Sequence, residues 1–431
     1  MSILMKTKKR KTNKRLHLPL LGGASGGLHL VKAGLYSLIV LIFSFVSTAN
    51  CQLPSDSLQN GALSSNTTQL KISLLTCGSG EDLYSVYGHS AIRVVDFLRG
   101  TDVVYNYGTF NFGDPDFYLK FTRGKLLYYV NDEQFQGFMN MYLQDGRSVY
   151  EQVLNLNPAD AKAVNEYLIN NLKEENKYYK YDFLFDNCST RLKDVFSQTF
   201  GNRFRLGHII ADDSMSFRTV LNYYERNIHW ERLGINLLLS NRVDDKMTNE
   251  QSTFLPDYLM RAFAVSTLDG SPIVKETTQL LPEKNNSNST TNEPKLFAWL
   301  LLLGVLIISF SPMKKCLIYF DVLFFLVLGL LGCFMLFMWF GTEHIVCAWN
   351  RNLLWAFPLH VVFAFLIPRE STQKLIYAKY ASMLLIVSMF YSLFAQQEYI
   401  AEITPILILI LYRLSKYSKR TLNNLAFKKF F

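Results

Sequence analysis

Two residues far apart in the chain could do chemistry together. Cys188 lies in "FDNCSTRL" and His89 in "YGHSAIRV". A thiolate is a strong nucleophile, and an imidazole can take the proton that the thiol must lose. Asp186 or Asn187 is a suitable helix N-cap. After it, Leu192, Val195, Phe196 and Phe200 recur at helical spacing and predict one buried face. Cys188 therefore falls in the first turn of a helix. Free backbone N–H groups and the helix dipole there favour a thiolate, and the same groups can stabilise an oxyanion. The position equally suits a small residue that packs a helix end. His89, just after Gly88, equally suits a structural histidine. Only the fold can decide whether the two meet.

The elements that would position them are legible as patterns. Leu70–Leu75 alternates like a strand, and Ser90–Val95 is a β-branched alternating run. Asp102–Phe112 predicts a third strand, paired with the second through a turn near Gly100. "KLLYYVND" and Arg147–Leu156 predict two more. Helices are expected at Pro158–Glu174 and from Cys188 onward. The reading is an α+β domain with a mainly antiparallel sheet and helices packed beside it. Asn106 falls on the strand next to that of His89, although an asparagine there also suits an edge or a turn.

The chain has 431 residues and a formal net charge of +9. That charge gathers at the two ends, beside apolar segments, so it speaks for membrane orientation and against a nucleic-acid partner. "MKTKKRKTNKR" followed by Leu35–Val46 and "STAN" predicts a signal peptide cleaved after Ala49, or an uncleaved anchor, over residues 1–49. From Leu296 onward five apolar stretches follow: Leu296–Ser311, Cys316–Phe340, Leu353–Ile367, Leu375–Ala395 and Ile400–Leu414. The third and fifth are short for a bilayer span. With the N-terminal domain outside, "PMKK", "PRESTQK" and "RLSKYSKR" are cytoplasmic. Gly341–Asn352 and "QQEY" are then outside, with Arg351 as their one positive residue. Expected boundaries are 50–281 for the extracytoplasmic domain, 282–295 for a flexible polar linker, 296–414 for the membrane domain and 415–431 for a basic cytoplasmic tail.

The six cysteines are Cys51, Cys77, Cys188, Cys316, Cys333 and Cys347. Cys51 and Cys77 could pair in an oxidising compartment, leaving Cys188 alone. No metal motif and no phosphate-binding glycine loop occurs in the sequence.

"LLTCGSGEDLYSVYGHSAIRV", "VYNYGTFNF", "FYLKFTRGKLLYYV" and "DNCSTRLKD", with the later "TEHIVCAWNRNLLWAFP", resemble the Bacteroides-type lipoprotein N-acyltransferase (Lnb) family. The order of histidine strand before cysteine helix is similar to permuted NlpC/P60-papain proteins, including lecithin:retinol acyltransferases. The resemblance implies an α+β permuted papain-like (NlpC/P60-like) extracytoplasmic domain, followed by an α-helical membrane domain of about five helices. It further implies a multi-pass protein of the bacterial inner membrane with its soluble domain in the periplasm. Its donor would be a phospholipid and its acceptor the N-terminal amine of a diacylated lipoprotein, with no cofactor and no metal. Cys188 would be the nucleophile, His89 the base and Asn106 the group that orients the histidine.

Further candidates carry a bland reading beside the functional one. Tyr84 and Tyr87 could line the site or pack as aromatics. Arg191 could touch a lipid phosphate or make a salt bridge. His344, Asn350 and Asn352 could bind a headgroup or support the soluble domain. Glu402 could serve a membrane function or reach water at a helix end. Two other functions compete: a membrane-tethered cysteine peptidase or amidase acting on cell-wall peptides, and a non-enzymatic envelope assembly module.

Overall fold

The computed structural model describes residues 70–427 apart from 112, 211–214, 285–290 and 393–399, with side chains as far as Ser418. The signal-like segment, Cys51, the Asn-rich centre of the linker and the "QQEY" loop lie outside the described residues.

The alternating runs form strands, as their pattern predicts. In chain order the N-terminal domain comprises β1 (Leu70–Cys77), β2 (His89–Asp96), β3 (Thr101–Thr109), α1 (Phe117–Thr122), β4 (Leu127–Gln134), α2 (Phe135–Asp145) and β5 (Val149–Leu154). There follow α3 (Pro158–Leu172), β6 (Tyr178–Lys180), α4 (Cys188–Phe200), α5 (Phe217–Tyr224), α6 (His229–Leu238), α7 (Pro256–Ala264) and β7 (Val274–Leu281). One antiparallel sheet runs in the order β7-β5-β1-β2-β3-β4-β6. The β2–β3 hairpin turns at Gly100, whose φ of 65° needs a residue without Cβ.

Both faces of the sheet are covered. On one, Leu192, Val195, Phe196 and Phe200 of α4 pack with Val164 and Leu168 of α3 against Ile72, Leu74, Ile92 and Val94. On the other, Phe138 and Tyr142 of α2 cover Leu75, Ala91, Val104 and Val149. The predicted apolar face of the cysteine helix is thus fully used.

The C-terminal part is helical: α8 (Glu293–Ser309), α9 (Leu317–Phe340), α10 (His360–Leu366), α11 (Thr372–Ser392) and α12 (Thr404–Phe427). Pro312–Phe340 and Thr372–Ser392 are long and apolar enough to cross a bilayer. The expected span Leu353–Ile367 is not a continuous helix. It is a short turn, Arg351–Leu354, then a loop, then the seven residues of α10. Such a helix rises about 10 Å, a third of a ~30 Å hydrocarbon core. Pro358 lacks the N–H that a longer helix would need. The irregular backbone is instead buried against two glycines of α9. A Cβ on Gly329 would lie 2.4 Å from the Val361 nitrogen, and one on Gly332 would lie 2.0 Å from the Ala356 oxygen. Non-helical backbone at membrane depth is tolerated only when protein covers it in this way. The fifth stretch also departs from expectation. Its helix continues to Phe427, through most of the segment expected as a tail.

The two parts meet along a seam at one end of the helices. His344 Nε2 donates to the Phe121 oxygen at 3.1 Å, and the Glu343 nitrogen to the Arg123 oxygen at 2.9 Å. Lys180 pairs with Glu343 at 2.7 Å. Asn350 Nδ2 donates to the carbonyls of Leu237 and Leu238 at the end of α6, at 2.7 and 3.0 Å. Asn352 Nδ2 reaches Leu237 at 3.1 Å, and Ser240 N–H reaches Val346 at 2.8 Å. Arg232 of α6 and Asn292 both bind Glu402. Lys314 and Lys315 flank the start of α9, whereas the seam loop begins where α9 ends.

Candidate active site

The cysteine helix begins as its sequence predicts, with Asn187 as the cap. Asn187 Oδ1 accepts from the N–H groups of Ser189 and Thr190 at 2.9 and 3.0 Å, and Thr190 Oγ1 accepts from the Asn187 N–H at 2.8 Å. Asn187 Nδ2 is itself held by the carbonyls of Phe183 and Phe254. The first turn, and with it Cys188, is therefore fixed from both sides. Asp186, the other cap candidate, pairs with Arg191 instead.

His89 opens β2 because Gly88 can turn there. Gly88 has φ 82°, and a Cβ on it would sit 2.6 Å from the Cys77 oxygen. Ser90 Oγ, next along the strand, meets Ser189 Oγ at 3.0 Å in the buried joint between β2 and α4. This joint presses the start of the strand against the start of the helix. The Cys188 thiol and the His89 imidazole consequently stand close enough for the charge of each to act on the other. His89 Nε2 meets Asn106 Oδ1 at 3.2 Å, leaving Nδ1 as the nitrogen for the thiol. Asn106 Nδ2 donates onward to Glu133 Oε1 at 2.7 Å.

The electrostatics match this relay. Burial alone would raise the Cys188 pKa. The His89 charge, the hydrogen bonds from His89 and from the Ser90 backbone, and the Ser189 hydroxyl outweigh it, so the net shift is downward. Burial pulls the His89 pKa down, but the Cys188 charge and the bonds to Cys188 and Asn106 outweigh it and raise it. Each group favours the charged form of the other. Cys77 provides the contrast: a free thiol, fully buried, pushed up to about 12 chiefly by burial. Two cysteines of one domain are thus made inert and reactive by their surroundings.

The approach to the thiol is shaped by a bulge. The β3–β4 register slips between Asn106 and Thr109, which turns Asn106 toward His89. Within the slip lies Gly108, at φ 93°. The point where its Cβ would stand is 3.8 Å from Cys188 Cβ, 3.8 Å from the Tyr181 ring and 3.9 Å from the Tyr179 hydroxyl. Tyr179 is 8% exposed, and its hydroxyl is buried without a hydrogen-bond partner. The Arg191 guanidinium lies over its ring at 4.1 Å.

The structure brings Cys188, His89 and Asn106 together. Of the remaining candidates, Tyr87 donates to the buried Glu225, whose pKa burial raises to about 7, and packs on Phe183 at 4.7 Å. Tyr84 is 75% exposed. Arg191 takes its salt-bridge reading, with Asp186. His344 and Asn350 spend their side chains on the seam, as does Asn352, and Glu402 joins them there. Sequence reasoning missed Glu133 and Tyr179. Glu133 sits in "VNDEQ", where charge suggests a turn. Tyr179 sits in an aromatic run with no feature to single out one ring.

An extracytoplasmic α+β domain with a paired thiol and imidazole, docked on a membrane domain, defines the class. Comparison with known families then supplies the particular one. Residues 59–223 match the family described as Lnb N-terminal periplasmic domain, and residues 285–423 match Lnb transmembrane domain. The two matches cover well over half of the chain, which belongs to the Lnb family, and its N-terminal domain is periplasmic. No curated protein and no solved structure matches it.

Proposed function

We propose that this protein moves an acyl chain from a phospholipid, through a thioester on Cys188, to the N-terminal amine of a lipid-modified lipoprotein. The observation that carries the reading is the electrostatically coupled Cys188–His89 pair, with His89 held by Asn106, on a domain pinned to the membrane helices. The strand-before-helix order of the pair is that of the permuted papain-like arrangement.

The thiolate attacks the ester carbonyl carbon and a C–S bond forms. Negative charge develops on the carbonyl oxygen. The Cys188 N–H, which the Asn187 cap does not use, and the Tyr179 hydroxyl are the donors placed to receive it. The ester C–O bond then breaks, and His89 gives its proton to the departing lysophospholipid oxygen. In the second half, the lipoprotein amine attacks the thioester carbonyl. His89 takes the amine proton, the C–N bond forms, the C–S bond breaks and the thiolate returns. Asn106 holds the ring of His89 through both halves, and Glu133 holds Asn106. The donor ester is already activated relative to the amide product, so the transfer calls for no added energy source.

The test is the intermediate. Full-length protein is given phospholipid vesicles without acceptor, and its intact mass is measured. Added fatty-acyl mass is expected on a Cys188 peptide, removable by neutral hydroxylamine and discharged by a diacylated lipoprotein peptide as N-acylated product. Cys188→Ala and His89→Ala each abolish both steps while the protein still accumulates in the membrane. Product without acyl mass on the wild-type enzyme removes the covalent route. Release of peptides from purified peptidoglycan without acyl transfer would replace this function with hydrolysis.

A further inference from the structure

Three large apolar side chains stand together on the surface of the periplasmic domain. In α1 the buried residue is Phe117, whereas Tyr118 is 80% exposed, Leu119 57% and Phe121 52%. Lys120, which follows Leu119, is drawn aside by Asp114 at 2.8 Å, so the outward face stays apolar. A contiguous exposed patch of this kind marks a surface that something covers.

The height of α1 identifies the cover. Its last turn is tied to the seam loop: the Phe121 carbonyl accepts from His344 and the Arg123 carbonyl from the Glu343 N–H. The approach at Gly124 is close, because a Cβ there would lie 3.3 Å from the His344 ring. Glu343 follows closely on Phe340, where the membrane-length helix α9 ends. The chain between those two residues can reach at most about 10 Å. The headgroup layer outside the hydrocarbon core is itself about 5–8 Å deep on each side. The end of α1 is therefore held near headgroup level, close to Trp339 and Phe340, which stack at 4.7 Å. Aromatic rings collect at that level in membrane proteins. An apolar face held there meets lipid.

The patch also continues inward to the thiol. Phe121 stacks on Phe117 at 6.1 Å, Phe117 packs on Phe110 at 5.8 Å and Phe110 on Tyr128 at 5.3 Å. Tyr128 stacks on Tyr181 at 4.4 Å, and the Tyr181 ring borders the gap at Gly108 that adjoins Cys188. Phe110, Tyr181 and Cys188 are each half-buried, so the strip reaches the surface along its length. We infer that the exposed face of α1 is immersed in the lipid leaflet on the domain's side, and that the ring strip from Phe121 to Tyr181 is the path by which a phospholipid acyl chain reaches Cys188. The membrane contact stands by itself; the path rests on the acyl-transfer reading.

Photo-crosslinking tests the contact without any turnover. Full-length protein carrying p-benzoylphenylalanine in place of Tyr118 or Leu119 is placed in nanodiscs of dioleoyl phosphatidylethanolamine and phosphatidylglycerol, irradiated and digested. The control carries the same group in place of Leu98, also exposed, at the β2–β3 turn. That turn lies down β2 from His89, about 23 Å away. Phospholipid mass is expected on the α1 peptide and not on the Leu98 peptide. Equal lipid adducts at Leu98, or none at α1, overturn the contact, and an adduct of twice the chain mass makes α1 a surface for a second copy instead. The path is tested by acyl loading of Cys188. In the Tyr118→Asp, Leu119→Asp double variant, loading from the nanodisc lipid should fall about tenfold, because two charged groups resist entry into lipid. Loading from p-nitrophenyl butyrate, a soluble ester that needs no path from the bilayer, should stay near the wild-type rate. Thermal unfolding checks that the variant is folded, and the Tyr118→Ser, Leu119→Ser pair repeats the comparison if the charged pair lowers the midpoint. Unchanged loading from lipid overturns the path, as does an equal loss with both esters at an unchanged midpoint. Wild-type protein that neither ester loads defeats the acyl-transfer reading and the path with it, and leaves the crosslinking result standing.

Discussion

Replacing Tyr179 by phenylalanine should make the protein more stable and less active at once. The Tyr179 hydroxyl is buried without a hydrogen-bond partner and lies beside the space that adjoins Cys188. A buried hydroxyl with no partner costs roughly 1–3 kcal/mol relative to an apolar group of the same shape. Phenylalanine keeps the ring, its packing and the Arg191 stack at 4.1 Å, so no cavity of consequence opens. A gain of about 1 kcal/mol corresponds to a rise of about 2–4 °C in the unfolding midpoint of a domain of this size. In the proposed mechanism the hydroxyl is meanwhile one of two donors for the oxyanion. Loss of one such donor costs about 10²–10³ in rate, or roughly 3–4 kcal/mol of transition-state stabilisation. Single-turnover acyl loading of Cys188 from vesicles, followed by intact mass, measures the rate. Thermal unfolding in the same detergent measures the stability. Loading at the wild-type rate would show that the oxyanion is held elsewhere. A lower midpoint would show that the hydroxyl has a structural partner. A merely structural tyrosine predicts both quantities moving together, whereas the geometry predicts opposite signs.

Three further outcomes follow from the relay. Because His89 is the main influence that lowers the Cys188 pKa against burial, iodoacetamide labelling of Cys188 should rise with pH through an inflection below the ordinary thiol value of 9.0; in His89→Ala, where burial is left to dominate, the inflection should move above 9.0. Asn106→Ala leaves a half-buried imidazole N–H without its partner, worth about 1–3 kcal/mol or roughly 5- to 150-fold in acyl loading. Glu133→Gln retains an acceptor for Asn106 Nδ2 and should stay within a few-fold of wild type, whereas Glu133→Ala should fall toward the Asn106 variant; equal loss in Gln and Ala would mean that the Glu133 charge, not its hydrogen bond, matters.

Features set by neighbours in sequence were legible, and features set by distant parts of the chain were not. The strand of Ser90–Val95 and the helix after Asn187 announce themselves through alternation, a cap and a 3.6-residue period, which place His89 and Cys188 on their elements; that the two form a pair was implied by the family resemblance. Asn106 could be chosen because a hairpin makes its strand the next one. Glu133 could not, since it reaches Asn106 only through a cross-strand register that a bulge shifts. His344 and Asn350 look like exposed polar residues of a membrane loop. Their partners, the carbonyls of Phe121, Leu237 and Leu238, are more than a hundred residues away. Hydropathy marked Leu353–Ile367 as apolar but records nothing about continuity. Pro358 was the available sign that the helix would break.

The seam has a consequence for selectivity. The hydrogen bonds of His344, Asn350 and Asn352 fix the periplasmic domain to the helix ends, so in the proposed acyl transfer Cys188 would act at a set height above the bilayer. The protein then behaves as a depth gauge. An amine tethered by its own diacylglyceryl group is kept at the water–lipid boundary and visits that height constantly. A lysine on the body of a folded protein, or a free amine in solution, has equal nucleophilicity but no such confinement. Under that proposal, discrimination between them needs no pocket for the acceptor's peptide sequence, and one such enzyme would serve clients that share nothing except where their first residue floats.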